Sequence, residues 1–187
     1  MESLPEMIEK AKKALACTDA IDRISRYNGN IEAVKKDVNA PYWAYWYAEH
    51  VLKSRFEEAE SLIATDAKSS FYYAHNTLNA RFVEGEPAII TSAHWSYFYA
   101  RYVLKGRFEE GEPAIATDSE SSYGYARDVI KGRFEAGEPI IATNGVHSYN
   151  YARQVLNDRF KAGEVTIAKE ADLAVIYGVL MLLNSEC

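Results

Sequence analysis

A chain of 187 residues with 48% hydrophobic and 26% charged residues has the composition of a folded, soluble protein, which excludes an intrinsically disordered chain. Its formal net charge of −6 argues against direct, non-specific binding of nucleic acid. The two cysteines, Cys17 and Cys187, lack the spacing of a zinc site or a disulfide framework. No signal-peptide pattern begins the chain, and no run of about 18 uncharged apolar residues could cross a bilayer. We therefore expect a cytoplasmic protein that does not bind membranes.

Residues 1–39 are predicted to form an N-terminal helical cap that contains a degenerate repeat. The segment before about Thr18 mixes apolar and charged residues and predicts a capping helix. Further along, Arg26-Tyr27 stands where later repeats have Arg-Phe. Terminal repeats of a stacked array depart from the common pattern because one of their faces has no neighbouring repeat.

Residues 40–169 contain five repeats of 26 residues. An Arg-Phe pair marks each repeat without any slip in register, at Arg55-Phe56, Arg81-Phe82, Arg107-Phe108, Arg133-Phe134 and Arg159-Phe160. A tyrosine keeps the same spacing, at Tyr47, Tyr73, Tyr99, Tyr125 and Tyr151, and Tyr177 continues the series. A fixed period of this size is typical of repeat proteins.

Each repeat is predicted to contain one helix of about 13 residues and one of about six. In the fourth repeat, the apolar positions from Tyr123 to Ile130 follow helical spacing, and Asn144 suits the N-cap of the next long helix. Equivalent N-cap candidates are Asp66, Ser92 and Asp118. Pro139 suits the first turn of the short helix, and Gly137 is predicted to be the left-handed C-terminal cap of the long one. One such pair cannot bury its apolar stripe alone, so we predict an all-α fold: a short α-solenoid of stacked helix-turn-helix repeats with period 26 and degenerate end caps.

Residues 170–187 are predicted to form a C-terminal capping helix. Its apolar residues lie on more than one face, at Val175, Ile176, Val179, Leu180, Met181, Leu182 and Leu183. One interpretation is a cap that packs on the fifth repeat. The other is a homodimer contact through this helix, because an apolar face that no other element covers favours association.

A constant glutamate follows each repeat arginine by five residues, at Glu60, Glu86, Glu112, Glu138 and Glu164. This spacing predicts a charge-assisted pair that stabilises the turn between the two helices, or that joins one repeat to the next. The alternative is a ladder of arginines that lines a groove for phosphates.

The residues that differ between repeats lie around the constant tyrosine and include all three tryptophans and all four histidines. A constant core with a variable surface is typical of repeat proteins that bind partners, and large aromatic residues with arginine are common interface anchors. We predict partner-binding residues at Trp43, Trp46, Tyr72, Trp95, Phe98, Arg101, Tyr102 and Arg127. The alternative is that the aromatic residues of the early repeats seal the junction with the degenerate N-terminal repeat.

The sequence contains none of the short motifs that mark common catalytic or nucleotide-binding sites. Its histidines fall in different repeats with unrelated neighbours, at His50, His75, His94 and His147. We therefore predict no catalytic residue, no metal site and no cofactor, and we expect a protein that is not an enzyme.

The segment YARYVLKGRFEEGEPAIAT, from Tyr99 to Thr117, resembles a helical repeat of bacteriophage-encoded proteins and related bacterial proteins, over residues 40–170 of this chain. The resemblance implies a small viral protein that binds a host protein in the host cytoplasm. It favours an inhibitor of a host defence system, such as a CRISPR or restriction effector.

Two alternative functions stay open. One is a nucleotide or small-molecule sponge, in which aromatic residues stack on a base and Arg101 or Arg127 meets phosphate. The other is a structural protein that self-associates through its C-terminal helix.

Overall fold

The computed structural model describes residues 3–27 and 30–184, apart from the side chains of residue 31 and of residues 179–184. Every regular element in these ranges is a helix or a helical turn, and none is a strand. The predicted all-α class is therefore confirmed. None of the described helices is long and apolar enough to cross a bilayer.

The chain forms two compact units, residues 1–89 and residues 90–187, with a boundary near the end of the second sequence repeat. The described helices of the first unit are α1 (Leu4–Lys13), α2 (Thr18–Ser25), α3 (Ile31–Val34), α4 (Ala40–Tyr47), α5 (Glu60–Ile63), α6 (Ala67–Tyr72) and α7 (Glu86–Ile89). The predicted capping helix before Thr18 is α1, which packs on α2 and on the turn that follows α4. Within the repeats, α4 packs on α5 and on α6, and α6 packs on α7.

The second unit repeats the same pairing of a long and a short helix. Its helices are α8 (Ala93–Phe98), α9 (Glu112–Ile115), α10 (Ser119–Tyr125), α11 (Glu138–Ile141), α12 (Gly145–Tyr151), α13 (Glu164–Ile167) and α14 (Ala171–Asn184). Each of α8, α10 and α12 packs on the short helix of its own repeat and on the long helix of the next repeat. This stacking of helix pairs confirms the predicted solenoid-like arrangement of helix-turn-helix repeats.

From the second repeat to the fifth, each long helix begins at a side-chain cap and ends in a wide turn, whereas α4 of the first repeat has no side-chain cap. In the fourth repeat, Asp118 accepts a hydrogen bond from the Ser121 amide at 2.8 Å, which satisfies an otherwise unpaired donor of α10. After α10 the backbone widens into a π-helical turn, Ala126–Ile130, and Lys131 then takes the left-handed conformation with φ of 55°. The N-caps predicted in the other repeats, Asp66, Ser92 and Asn144, also accept from the backbone and are confirmed.

Gly137 is not the left-handed cap that the sequence predicted. Its φ is −89°, and it ends the 3₁₀ turn Glu135–Gly137 that leads into α11. The prediction was wrong because the long helix ends earlier, where Lys131 takes the capping conformation. Position 137 requires glycine for space, since a Cβ atom would lie 2.5 Å from Phe134 Cδ1 and 2.8 Å from Ser122 Cβ.

Within each unit, a constant tyrosine connects its own segment to the preceding repeat. The Tyr125 hydroxyl donates to Glu112 Oε1 at 2.9 Å and accepts from the Phe108 amide at 2.9 Å. Tyr73, Tyr151 and Tyr177 make the same two hydrogen bonds to their preceding repeats. Because Tyr125 is fully buried, this hydroxyl satisfies a buried amide and also bonds a carboxylate that is only partly exposed. This double role explains why the repeats keep tyrosine rather than phenylalanine.

A buried serine that sequence analysis did not single out makes a second connection between repeats. The hydroxyl of this serine donates to the carbonyl of the isoleucine seven residues earlier, which ends the preceding short helix. The pairs are Ser70 with Ile63, Ser122 with Ile115 and Ser148 with Ile141, at 2.8–3.1 Å. The signal was available in the sequence, because the serine recurs at the 26-residue period from the second repeat onward.

The described part of α14 packs on α12 and α13 of the fifth repeat. Tyr177 of α14 accepts from the Phe160 amide at 2.9 Å, as the repeat tyrosines do. Val175 and Ile176 are 69% and 50% exposed and form an apolar edge. The other apolar residues that the sequence singled out in this helix, Val179, Leu180, Met181, Leu182 and Leu183, lie outside the described side chains.

Candidate binding surfaces

The constant arginine and glutamate of each repeat form a two-pronged ion pair. Nε and Nη2 of the arginine donate to the two carboxylate oxygens at 2.5–3.0 Å in all five repeats. The hydrogen bonds from Arg55 lower the pKa of Glu60 below its ordinary value of 4.5, against the opposing effect of burial. The same carboxylate accepts from Tyr73 of the next repeat. These contacts favour the structural interpretation of the ladder over a groove for phosphates.

Arg101 and Arg127, two of the predicted partner-binding residues, lie at equivalent positions and share one carboxylate. Arg127 donates to Asp128 through Nε at 2.6 Å and through Nη2 at 2.8 Å, and Arg101 forms an ion pair with the same aspartate. Tyr97 and Tyr123 extend the network, since each hydroxyl accepts from the arginine of its own repeat. Arg127 lowers the pKa of Asp128 against the opposing effect of burial. A phosphate bound by these arginines would therefore compete with Asp128.

Three other predicted residues form an aromatic patch in the second unit. We define the second-unit patch as His94, Trp95, Phe98 and Tyr102. The His94 ring lies 4.7 Å from Trp95 and 4.1 Å from Phe98, and Phe98 lies 5.6 Å from Tyr102, between ring centroids. His94 is exposed, Tyr102 is 39% exposed, and Trp95 and Phe98 are half-buried. The Arg101 guanidinium lies 5.0 Å from the centroid of Tyr102, within the range of a cation–π contact.

Tyr72, the predicted residue of the second repeat, lies in a separate group of rings in the first unit. It stacks on Tyr45 with centroids 5.8 Å apart, and Tyr45 contacts Tyr42 edge to face at 5.9 Å. The Tyr45 hydroxyl also accepts from Asn76 at 3.0 Å, which connects the first two repeats. Tyr72 is therefore part of the packing between the first two repeats, although it keeps a half-exposed side chain.

Trp43 and Trp46 lie against the N-terminal helices. Trp46 packs against a buried cluster that contains Ala11 and Ile21, and its ring stacks on His50 at 4.6 Å. Trp43 has the Arg23 guanidinium 6.0 Å from its ring centroid. Both tryptophans are half-buried. This placement agrees with the interpretation that aromatic residues of the early repeats seal the junction with the N-terminal segment.

The two tryptophans also line an apolar cavity of about 650 Å³ in the first unit. Its walls come from α1, α2, α4, the segment between α4 and α5, and α5, with a contribution from Val34 at the end of α3. Sequence analysis did not predict it. Among the described residues, no group of three or more histidine, cysteine, aspartate or glutamate side chains is arranged to hold a metal ion.

Comparisons with known proteins do not extend this description. No protein-family model, no curated protein and no solved structure matches the chain.

Proposed function

We propose that this chain is a non-enzymatic repeat protein that binds a protein partner through the second-unit patch. The observation that carries the proposal is a group of four contacting aromatic rings that keeps solvent exposure on all four members. Tryptophan, tyrosine and arginine are enriched in binding hot spots, and the two aromatic residues bury large areas while losing little side-chain entropy. Arg101 and Asp128 hold the rim of the patch in place through their ion pair.

The partner that we propose is a host defence protein, such as a CRISPR or restriction effector. Support for this choice comes from the resemblance of the repeat segment Tyr99–Thr117 to repeats of bacteriophage-encoded proteins. A chain of net charge −6 is also suited to approach the basic surfaces with which such effectors hold nucleic acid.

The geometry gives less support to a nucleotide sponge. In such a site, Arg101 and Arg127 would bind the phosphates, but both guanidiniums already pair with Asp128. A nucleotide would have to displace a carboxylate that carries four hydrogen bonds and ion pairs from Tyr97, Arg101 and Arg127.

Self-association is a second candidate, because Val175 and Ile176 expose an apolar edge on α14. Sedimentation of the double variant Val175→Ser, Ile176→Ser beside the unchanged chain tests it. A larger species that is lost in the variant supports a dimer through α14, whereas a monomer in both samples contradicts it.

The test of partner binding is capture from a bacterial host lysate by the immobilised chain, compared with the double variant Trp95→Ala, Tyr102→Ala. We expect the variant to weaken binding of the captured protein at least about 10-fold, since removal of a hot-spot ring typically costs about 2 kcal/mol or more. Val165→Ala is the matched control, because Val165 is 69% exposed and lies outside the patch. Thermal unfolding of each variant checks that the fold is intact.

The identity of the partner is tested on purified effectors. Addition of the chain to a nuclease that it captures should inhibit cleavage, and the double variant should not. Capture that the double variant leaves unchanged would contradict the role of the patch. Capture without inhibition would contradict the proposed action on a defence effector while leaving the patch as the binding site.

A further inference from the structure

The cavity of the first unit lies apart from the second-unit patch and has its own chemistry. It lies where helices α1 and α2 meet α4 and Phe56, and its volume of about 650 Å³ falls within the range of sites that bind small organic molecules. All of its lining residues within the described part of the chain belong to the first unit.

Small side chains border much of the space. Six alanines line the cavity: Ala11, Ala16, Ala20, Ala40, Ala44 and Ala59. Two of them replace residues that pack tightly in later repeats, because Ala44 stands at the serine position and Ala59 at the glycine position. In the later repeats glycine leaves room for the phenylalanine ring, and Phe108, Phe134 and Phe160 are 1–3% exposed. Phe56 is only partly buried and forms part of the cavity wall instead.

The walls are apolar and aromatic. Trp43, Trp46, Tyr42 and Phe56 contribute ring surfaces, and Leu4, Ile21 and Leu52 contribute aliphatic surfaces. Aromatic rings prefer offset or edge-to-face contacts with other rings, so these walls suit a ligand that has an aromatic part.

The basic groups at the cavity already have carboxylate partners. Arg55 forms its two-pronged pair with Glu60, and Lys35 bonds Glu32 at 2.8 Å. An anionic ligand would enter the cavity without a free counterion, which is costly, and the one carboxylate among the described lining residues, Glu58, is exposed to water. An uncharged, largely apolar ligand would lose little hydration free energy on leaving water.

We propose that the cavity binds an uncharged small molecule with an aromatic part, held between the tryptophan rings and the N-terminal helices. This site goes beyond the proposed partner binding, since it uses a different unit and a different class of ligand. A ligand here would contact α1, α2 and α4 together and would stabilise the first unit by mass action.

The probe is N-phenyl-1-naphthylamine, an uncharged aromatic dye that accepts energy from excited tryptophan. The chain carries Trp95→Phe, so that only Trp43 and Trp46 emit. We expect saturable energy transfer at one dye per chain, together with a higher midpoint of thermal unfolding. Dye bound at the apolar edge of α14 would not need the cavity, and the filling variants below distinguish that case.

Two variants fill the cavity, Ala20→Phe and Ala44→Leu, each in the Trp95→Phe background. We expect either of them to weaken dye binding at least about 10-fold. Ala168→Phe is the matched control, because Ala168 is an exposed alanine of the second unit. Energy transfer that is absent in the Trp95→Phe chain, or unchanged in both folded filling variants, would overturn the proposal.

A second readout does not depend on how the filling variants fold. Cys17 is exposed and contributes to the cavity lining. In a Cys187→Ser chain, saturating dye should slow alkylation of Cys17 several-fold. An unchanged alkylation rate would contradict the proposed site even if dye binds elsewhere.

Discussion

The first repeat and the later repeats follow the same sequence pattern but pack differently. In the fourth repeat, Gly137 leaves room for Phe134 against Ser122, and the Phe134 ring lies 5.2 Å from Tyr125. In the first repeat, alanine replaces both small residues, Phe56 is partly exposed, and its ring lies 5.8 Å from Tyr47. In this comparison, one added methyl group at Ala59 and one missing hydroxyl at Ala44 accompany the looser packing of the phenylalanine.

The contacts that join neighbouring segments also differ between the regular repeats and the N-terminal end. In the second unit, each constant tyrosine from Tyr125 onward satisfies a backbone amide and a carboxylate of the preceding repeat. At the N-terminal end, the described contacts of Trp46 are with α1, α2 and the His50 ring. The regular repeats therefore rely on buried tyrosine hydrogen bonds, whereas the N-terminal junction combines apolar contact with the hydrogen bonds that the buried Asp37 accepts from Arg23 and Tyr27.

The largest expected effect is the loss of stability at alkaline pH, because it acts on several buried hydroxyls together. Burial, aided by the Glu138 carboxylate, raises the pKa of Tyr151 from 10.0 to about 12, and burial also raises those of Tyr73, Tyr125 and Tyr177. A raised pKa in the folded state stabilises the fold below pH 10, and this contribution is lost as the pH rises from 10 through about 12. Circular dichroism during alkaline titration should show unfolding in that interval.

Two substitutions test whether the buried tyrosine hydroxyls cause the loss of stability above pH 10. Tyr151→Phe should reduce the dependence of the unfolding free energy on pH above 10, because it removes one hydroxyl that titrates differently in the two states. Tyr102→Phe serves as the control, since Tyr102 is 39% exposed. An equal change in both variants would contradict the assignment to the buried tyrosines.

Tyr125→Phe is expected to lower the unfolding free energy by about 2–3 kcal/mol, because it leaves the Phe108 amide and a Glu112 oxygen without that partner. Tyr123→Phe should cost less than about 1.5 kcal/mol, since the Tyr123 hydroxyl bonds Gln154 and Arg127 in a partly buried place. Urea denaturation measures both values. Similar losses of unfolding free energy in the two variants would show that the hydrogen bonds of Tyr125 to the preceding repeat stabilise the fold no more than those of Tyr123.

Gly137→Ala is expected to lower the unfolding free energy by about 1–3 kcal/mol, because the added methyl group overlaps Phe134 and Ser122. The reverse change in the first repeat, Ala59→Gly, should cost less than about 1 kcal/mol, mainly through backbone entropy. The urea midpoints of the two variants compare the packing of the two regions directly. If Gly137→Ala has no effect, the close packing of the regular repeats does not explain the glycine.

Thr77→Val is expected to give the smallest effect, a gain of about 1 kcal/mol in unfolding free energy. The Thr77 hydroxyl is buried and has no hydrogen-bond partner among the residues that the structure describes. Equivalent positions in the other repeats hold Val51, Val103, Val129 and Val155. Thermal unfolding should show a higher midpoint for Thr77→Val and a lower one for the mirror change Val129→Thr. Loss of stability in Thr77→Val would indicate that the hydroxyl has a bound partner.

Some features of the candidate sites followed from the sequence, and others did not. The sequence singled out Trp95, Phe98 and Tyr102 as partner-binding candidates at variable positions around Tyr99, and the structure places these rings in one partly exposed group. The pairing of Arg101 and Arg127 with Asp128 was not, since Asp128 lies one repeat beyond Arg101 and the register across repeats is set by packing. The cavity was also missed. Alanine is common in helices because it has the highest helix propensity, so alanines in the sequence do not by themselves predict a cavity.

The sequence by itself determined the 26-residue period, the helical pairs, the N-caps and the spacing of arginine and glutamate. These features depend on residues within a few helical turns of one another, where local geometry is fixed by the backbone. Only the tertiary structure decided that Lys131 rather than Gly137 takes the left-handed turn, that Tyr125 satisfies the preceding repeat, and that the first unit contains a cavity. Those outcomes depend on which atoms of neighbouring repeats meet, and close packing turns differences of a single methyl group into different contacts.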